Sequence, residues 1–107
     1  MSSFDDREKG FENKFAHDEE LEFKATARRN KLLGLWLAET FGLSGADADA
    51  YAKDVVASDF EEAGHEDVVR KVMADITARG ASVTEHMVRV EMDRLMTVAR
   101  DQIKNQG

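Results

Sequence analysis

The sequence predicts an all-α fold: a small four-helix bundle preceded by a flexible N-terminal tail. Three observations predict it. The chain of 107 residues contains no proline, and 35% of it is charged, which suits uninterrupted helices. Glycines punctuate three places, Gly42/Gly45, Gly64 and Gly80. Between them the apolar residues recur with helical period, and no convincing strand is found.

The first predicted helix runs from about His17 to Phe41, with Gly42 as its C-terminal stop. Leu21, Ala25, Leu32, Leu35 and Trp36 form its expected core stripe. Between Leu32 and Leu37 it is apolar nearly all round. That stretch should be the buried centre, touching more than one neighbour. The second helix is expected over about Gly45–Ala63. Ser44 is its N-cap, Asp47 stands in a box-like position, and Gly64 ends it. Ala48, Tyr51, Ala52, Val55 and Val56 supply its buried face.

The third helix is expected over about His65–Arg79, with Glu66 and Asp67 at its positive end and Gly80 as its stop. Val68, Val69, Val72, Met73 and Ile76 share one face. The second and third helices meet at a single glycine, which predicts a sharp bend. Thr84 caps the fourth helix, about Glu85–Lys104, with Val83 and Val88 as a hydrophobic staple. Its stripe is Val88, Met92, Leu95, Ala99 and Ile103. Short loops between four amphipathic helices imply a bundle.

The segment Ser3–Glu22 is the most charged in the chain, yet it carries Phe4, Phe11 and Phe15. On a helix these rings fall within an arc of about 40°. The segment has too little apolar surface to fold alone, and its rings line up as though for a groove on another molecule. The wheel sets this stripe roughly 85° from the expected core stripe of the first helix. The position that would continue it is Glu22. Two units are therefore expected: a mobile tail at residues 1–17, helical on binding, and a four-helix domain at residues 18–107. Gly10 disfavours helix by about 1 kcal/mol relative to alanine, which would keep the free tail loose.

Composition excludes several classes. The net charge of −7 argues against nucleic acid and anionic membrane as partners, and is compatible with a basic protein partner. The absence of cysteine excludes disulfides and thiolate metal sites, and fits a cytoplasmic location. No apolar run approaches the roughly 20 residues of a membrane span, and no secretory signal opens the chain.

His17, His65 and His86 do not have the spacing of a helical metal-binding pair, so no metal is expected. Asp59, Glu61, Glu62 and Glu66 read as solvated acidic surface, with Asp59 facing a basic partner or capping a neighbouring element. Met73, Met87, Met92 and Met96 read as core filling. No nucleophile–base arrangement is evident, so no catalytic residue is assigned and the chain is not read as an enzyme. Arg28, Arg29 and Lys31 near Trp36 offer a nucleotide contact for weak ADP or ATP binding, set against a solvated basic face beside a core tryptophan. No phosphate-cradling glycine loop supports the nucleotide reading.

Four stretches stand out together: Phe4-Asp5-Asp6-Arg7-Glu8, Lys14-Phe15-Ala16-His17-Asp18, the run from Ala27 to Trp36 and the run from Ser58 to Lys71. In these stretches the sequence resembles the zeta subunit, the ATPase inhibitor of alphaproteobacterial F-type ATP synthases. The resemblance covers essentially the whole chain and weakens after about Gly80. It implies an inhibitor that acts sterically, without a cofactor. The N-terminal segment would wedge at an alpha/beta interface of the catalytic head and reach the rotating gamma shaft. ATP hydrolysis would be blocked, while rotation in the synthesis direction could expel the wedge. The residues matching the inhibitory motif are Phe4, Asp5, Asp6, Arg7, Glu8, Glu12, Lys14 and Phe15. Phe11 joins them from the stripe. The resemblance also implies a cytoplasmic protein, peripheral to the inner membrane through the ATP synthase. A small nucleotide-binding regulatory domain is the alternative.

Overall fold

The computed structural model describes the backbone of residues 3–59 and 65–106, and the side chains of residues 19–59 and 65–105. Four helices follow one another: α1 (Ser3–Thr40), α2 (Gly45–Ala57), α3 (Glu66–Arg79) and α4 (Glu85–Gln106). Among the described residues there is no strand.

α1 starts at Ser3, well before the expected His17. Nothing in residues 3–17 forbids it. There is no proline, and the cost of Gly10, about 1 kcal/mol, is too small to break a helix. At 1.5 Å per residue, α1 is about 57 Å long.

α1 and α3 end alike. Gly42 adopts φ 77° and Gly80 φ 65°, the left-handed region that glycine enters without strain. The Leu43 N–H donates to the Ala38 carbonyl at 2.8 Å and the Gly42 N–H to Glu39 at 3.1 Å. The Ala81 and Gly80 N–H groups repeat the pattern on Ile76 and Thr77. These paired bonds close the last turns and direct Leu43 and Ala81 back onto the core.

The start of α4 follows the sequence. The Met87 N–H donates to Thr84 Oγ1 at 3.1 Å, and Val83 and Val88 join one apolar cluster. The start of α2 does not. Ser44 is its extended N-cap residue but makes no side-chain capping bond, so Asp47 alone complements the helix end. α2 also stops at Ala57, short of the expected Ala63. The Ser58 hydroxyl donates to the Val55 carbonyl at 2.6 Å, a local bond that competes with further helix. Residues 58–65 therefore connect α2 to α3, rather than one glycine. Gly64 lies outside the described residues.

α1 packs against both α2 and α4, as its apolar stretch predicted. Leu33, Leu37, Val55, Val68, Val72 and Val88 are fully buried at the centre. A second cluster joins Ala25 to Ala99 and Ile103, with Leu21, Leu32 and Met96 alongside. Here α4 runs antiparallel to α1. Arg100 donates to the Glu22 carboxylate at 2.6 Å and Arg28 to Gln102 at 2.9 Å. α4 ends at Gln106, whereas α1 continues N-terminal of Leu21 for about five turns.

The buried side of α1 differs from the expected stripe. Its rows are Ala25, Arg29, Leu33, Leu37 and Asn30, Gly34, Ala38. Leu21, Leu32, Leu35 and Trp36 are only partly buried. The penalty for deleting a fully buried ring therefore does not apply to Trp36. On the helical wheel the first row centres within about 10° of positions 4, 11 and 15, rather than roughly 85° away. The offset does not separate tail from domain. Among the methionines, Met92 is buried, Met73 and Met96 are partly buried, and Met87 is exposed rather than core.

Gly34 sits where α1 crosses α2. A Cβ there would stand 2.6 Å from the Ala52 Cα, a backbone atom that cannot swing aside. Gly34→Ala is expected to destabilise by about 1–3 kcal/mol through overpacking, despite alanine's better helix propensity. Urea denaturation checks this, and a stabilised variant would contradict the close crossing. Across the other interface, the Tyr51 hydroxyl donates to Asp75 Oδ2 at 2.8 Å, tying α2 to α3. Burial and that carboxylate raise the phenol's pKa above its ordinary value.

Candidate functional site

The sequence points to two candidate sites. The first is the N-terminal stretch. Phe4, Asp5, Asp6, Arg7, Glu8, Phe11, Glu12, Lys14 and Phe15 all lie on the helical backbone of α1, within its first four turns. Their side chains, and that of His17, fall outside the described residues. The helical form itself puts positions 4, 11 and 15 on one face. Acidic positions 5 and 6 stand in the first turn, where the positive end of the helix dipole favours them.

The second is the basic group at Arg28, Arg29, Lys31 and Trp36. The structure does not bring these four together. Trp36 packs against the main core, Arg28 bonds Gln102, and Lys31 faces solvent beside α2. Arg29 is not on a solvated face; it is 2% exposed.

Arg29 is the centre of a polar cluster that pins the α2–α3 connection to α1. Its Nε and Nη2 donate to Asn30 Oδ1 at 3.0 and 2.8 Å. Asn30 Nδ2 in turn donates to Asp59 Oδ2 at 2.9 Å. Arg29 Nη1 lies 3.3 Å from His65 Nε2. Burial lowers the guanidinium pKa, and Asp59 acts against that shift. Asp59 thus serves a partner within its own chain. Glu66 stays exposed, as expected, and Arg89 bonds it there at 3.0 Å. Glu61 and Glu62 lie outside the described residues. Among the described residues, no three His, Asp or Glu side chains converge as metal ligands.

His65 stays largely exposed; its ordinary pKa of 6.5 is lowered here by partial loss of solvent first and by the Arg29 charge second. The folded state thus prefers the neutral ring. Its contribution is complete above about pH 6.5 and is lost as pH falls through the lower, folded-state pKa. Denaturation midpoints should therefore fall between pH 7.5 and 5.5, and less so in His65→Gln. An equal fall in both proteins would remove His65 as the cause.

The family model for ATPase inhibitor subunit zeta matches residues 1–102, and so takes in α1 from its first turn and nearly all of the bundle. The chain belongs to that family. A protein of known solution NMR structure is similar to it at 52% identity, over 81% of this chain and 99% of the other, with a TM-score of 0.73. No match was found among curated proteins. Membership makes this zeta-family chain an inhibitor subunit of an ATPase. Among its described residues, no helix is long and apolar enough to cross a membrane.

Two features of the zeta-family chain escaped the sequence reading. One is the buried Arg29–Asn30 pair, hidden because both residues are ordinarily exposed. The other is Phe23, 76% exposed on α1. Its only sequence signal is its position, one residue beyond the acidic Glu22 and off the apolar face.

Proposed function

We propose that this chain inhibits ATP hydrolysis by an F-type ATP synthase. It inserts its N-terminal segment, residues 1–17, at an alpha/beta interface of the catalytic head beside the gamma shaft, while residues 18–107 anchor it. The observation that carries this reading is the family match over residues 1–102, which includes the charged, phenylalanine-bearing stretch. The helical backbone from Ser3 supports it, because a wedge of this kind has to present its rings on one face. Forming that helix from coil would cost roughly 1–2 kcal/mol per residue, more than three phenylalanines return at about 1.5–3 kcal/mol each. Charged contacts by Asp5, Asp6, Arg7, Glu8, Glu12 and Lys14 offset part of the difference, and helix already formed before insertion lowers the cost.

The test is ATPase activity of the isolated head. Phe4→Ala, Phe11→Ala and Phe15→Ala should each raise the half-inhibitory concentration roughly tenfold to hundredfold, with the melting temperature nearly unchanged. A full-length chain that fails to inhibit would sink the assignment. A large loss of stability from Phe15→Ala would make that ring part of the domain core.

A further inference from the structure

Among the described residues of this acidic chain, several surface cations are matched to carboxylates. Arg70 pairs with Asp67, Lys71 with Asp75, Arg89 with Glu66 and Glu85, Arg94 with Glu91, and Arg100 with Glu22. Beside these pairs, one face gathers four cations around an apolar hollow. Two open hollows, of about 490 and 540 Å³, adjoin at Lys31 and Val56. They form a groove along α1, between α2 and the C-terminal end of α4. Ala27, Ala52, Val56 and Ile103 give it an apolar floor. Its rim carries Lys24, Arg28, Lys31 and Lys53, with Asp49 as the one acidic residue among the described lining. Lys24 pairs with Glu20 and Arg28 bonds Gln102. Lys31 and Lys53 are exposed and have no ion-pair or hydrogen-bond partner among the described residues. Phe23 stands at one end of the groove, 76% exposed.

We propose that this groove docks an acidic amphipathic helix of the partner. The fit is one of charge and apolarity together. An apolar floor between exposed lysines selects a helix with an apolar face flanked by carboxylates. A basic helix would be repelled at Lys31 and Lys53, and a wholly polar one would leave the floor and Phe23 uncovered. The proposal deepens the inhibitory reading and rests on it for the identity of the complex. The groove holds the domain on the machine, so its loss weakens potency while the inserted segment still sets the maximal effect.

Two measurements on the full-length chain test it. In the first, Lys31→Glu/Lys53→Glu is compared with wild type on the isolated ATPase head. The half-inhibitory concentration should rise by roughly tenfold or more with the same plateau, and its salt dependence should flatten. Wild type and variant of equal potency would overturn the proposal and leave the inhibitory reading intact. In the second, amide NMR follows titration with a synthetic helix of glutamate and leucine on opposite faces. Saturable shifts confined to the Phe23, Lys31 and Val56 surroundings would support the groove even if the head were not inhibited. Shifts elsewhere, or none, would overturn it. A free dimer in sedimentation, dispersed by the same double variant, would also overturn it and make the occupant a second copy of the chain.

Discussion

Removal of residues 1–15 is expected to abolish inhibition of ATP hydrolysis while leaving the domain folded. The two parts of the effect have separate causes. The deleted segment takes away Phe4, Phe11 and Phe15, which together are worth about 4.5–9 kcal/mol if fully buried in the partner. Each 1.4 kcal/mol is tenfold in affinity, so the loss corresponds to roughly a thousandfold or more. The described core residues all lie beyond the cut. The cluster nearest the cut is Ala25 with Ala99 and Ile103, and Leu21 borders it. The interhelix bonds from Glu22 and Arg28 also lie beyond the deletion. The truncated chain should therefore melt close to the full-length temperature. ATPase assays beside circular dichroism melts decide the matter. Full inhibition by the truncated chain would place the blocking element in the bundle instead.

The fold class was legible because its signals are local. Glycines that must enter the left-handed region mark the ends of α1 and α3, and the structure uses Gly42 and Gly80 in that way. The threonine cap and valine staple of α4 are similarly local, and both formed. The buried face of α1 was not legible, for a physical reason. A wheel that counts only apolar residues skips Arg29 and Asn30, and without them Leu33 and Leu37 do not line up with Ala25. Those two polar residues are buried only because Asp59 and His65 arrive from 29 and 36 residues away, which no local pattern encodes. The same long-range contact explains the early end of α2. Ser58 closes the helix, and Asp59 is left free to meet Asn30. The dispersal of Arg28, Arg29, Lys31 and Trp36 follows as well. Neighbours in sequence lie about 100° apart on a helix, so adjacent cations face different partners. The basic groove needed α2 beside α1, because Lys53 joins Lys31 only through that packing.

The largest stability effect is expected at Arg29. Arg29→Ala removes a nearly fully buried side chain, leaves a cavity, and strips Asn30 Oδ1 of both its guanidinium donors. Asp59 loses its nearby opposite charge at the same stroke. Removing one partner of a buried charged cluster typically costs about 3–5 kcal/mol. For a domain of this size that lowers the melting temperature by more than about 10 °C. Arg29→Met separates the terms, because methionine restores much of the apolar stem and leaves only the unpaired polar groups. Its cost should be smaller, about 1–3 kcal/mol. Arg29→Met/Asn30→Leu then removes the stranded amide too, and Asp59, half-buried, can turn to water. The double variant should be less destabilised than the sum of its two single changes, with a coupling of at least about 1 kcal/mol. Additivity within about 0.5 kcal/mol would mean that Arg29 stabilises by packing alone, and that the polar cluster does not hold the α2–α3 connection to α1.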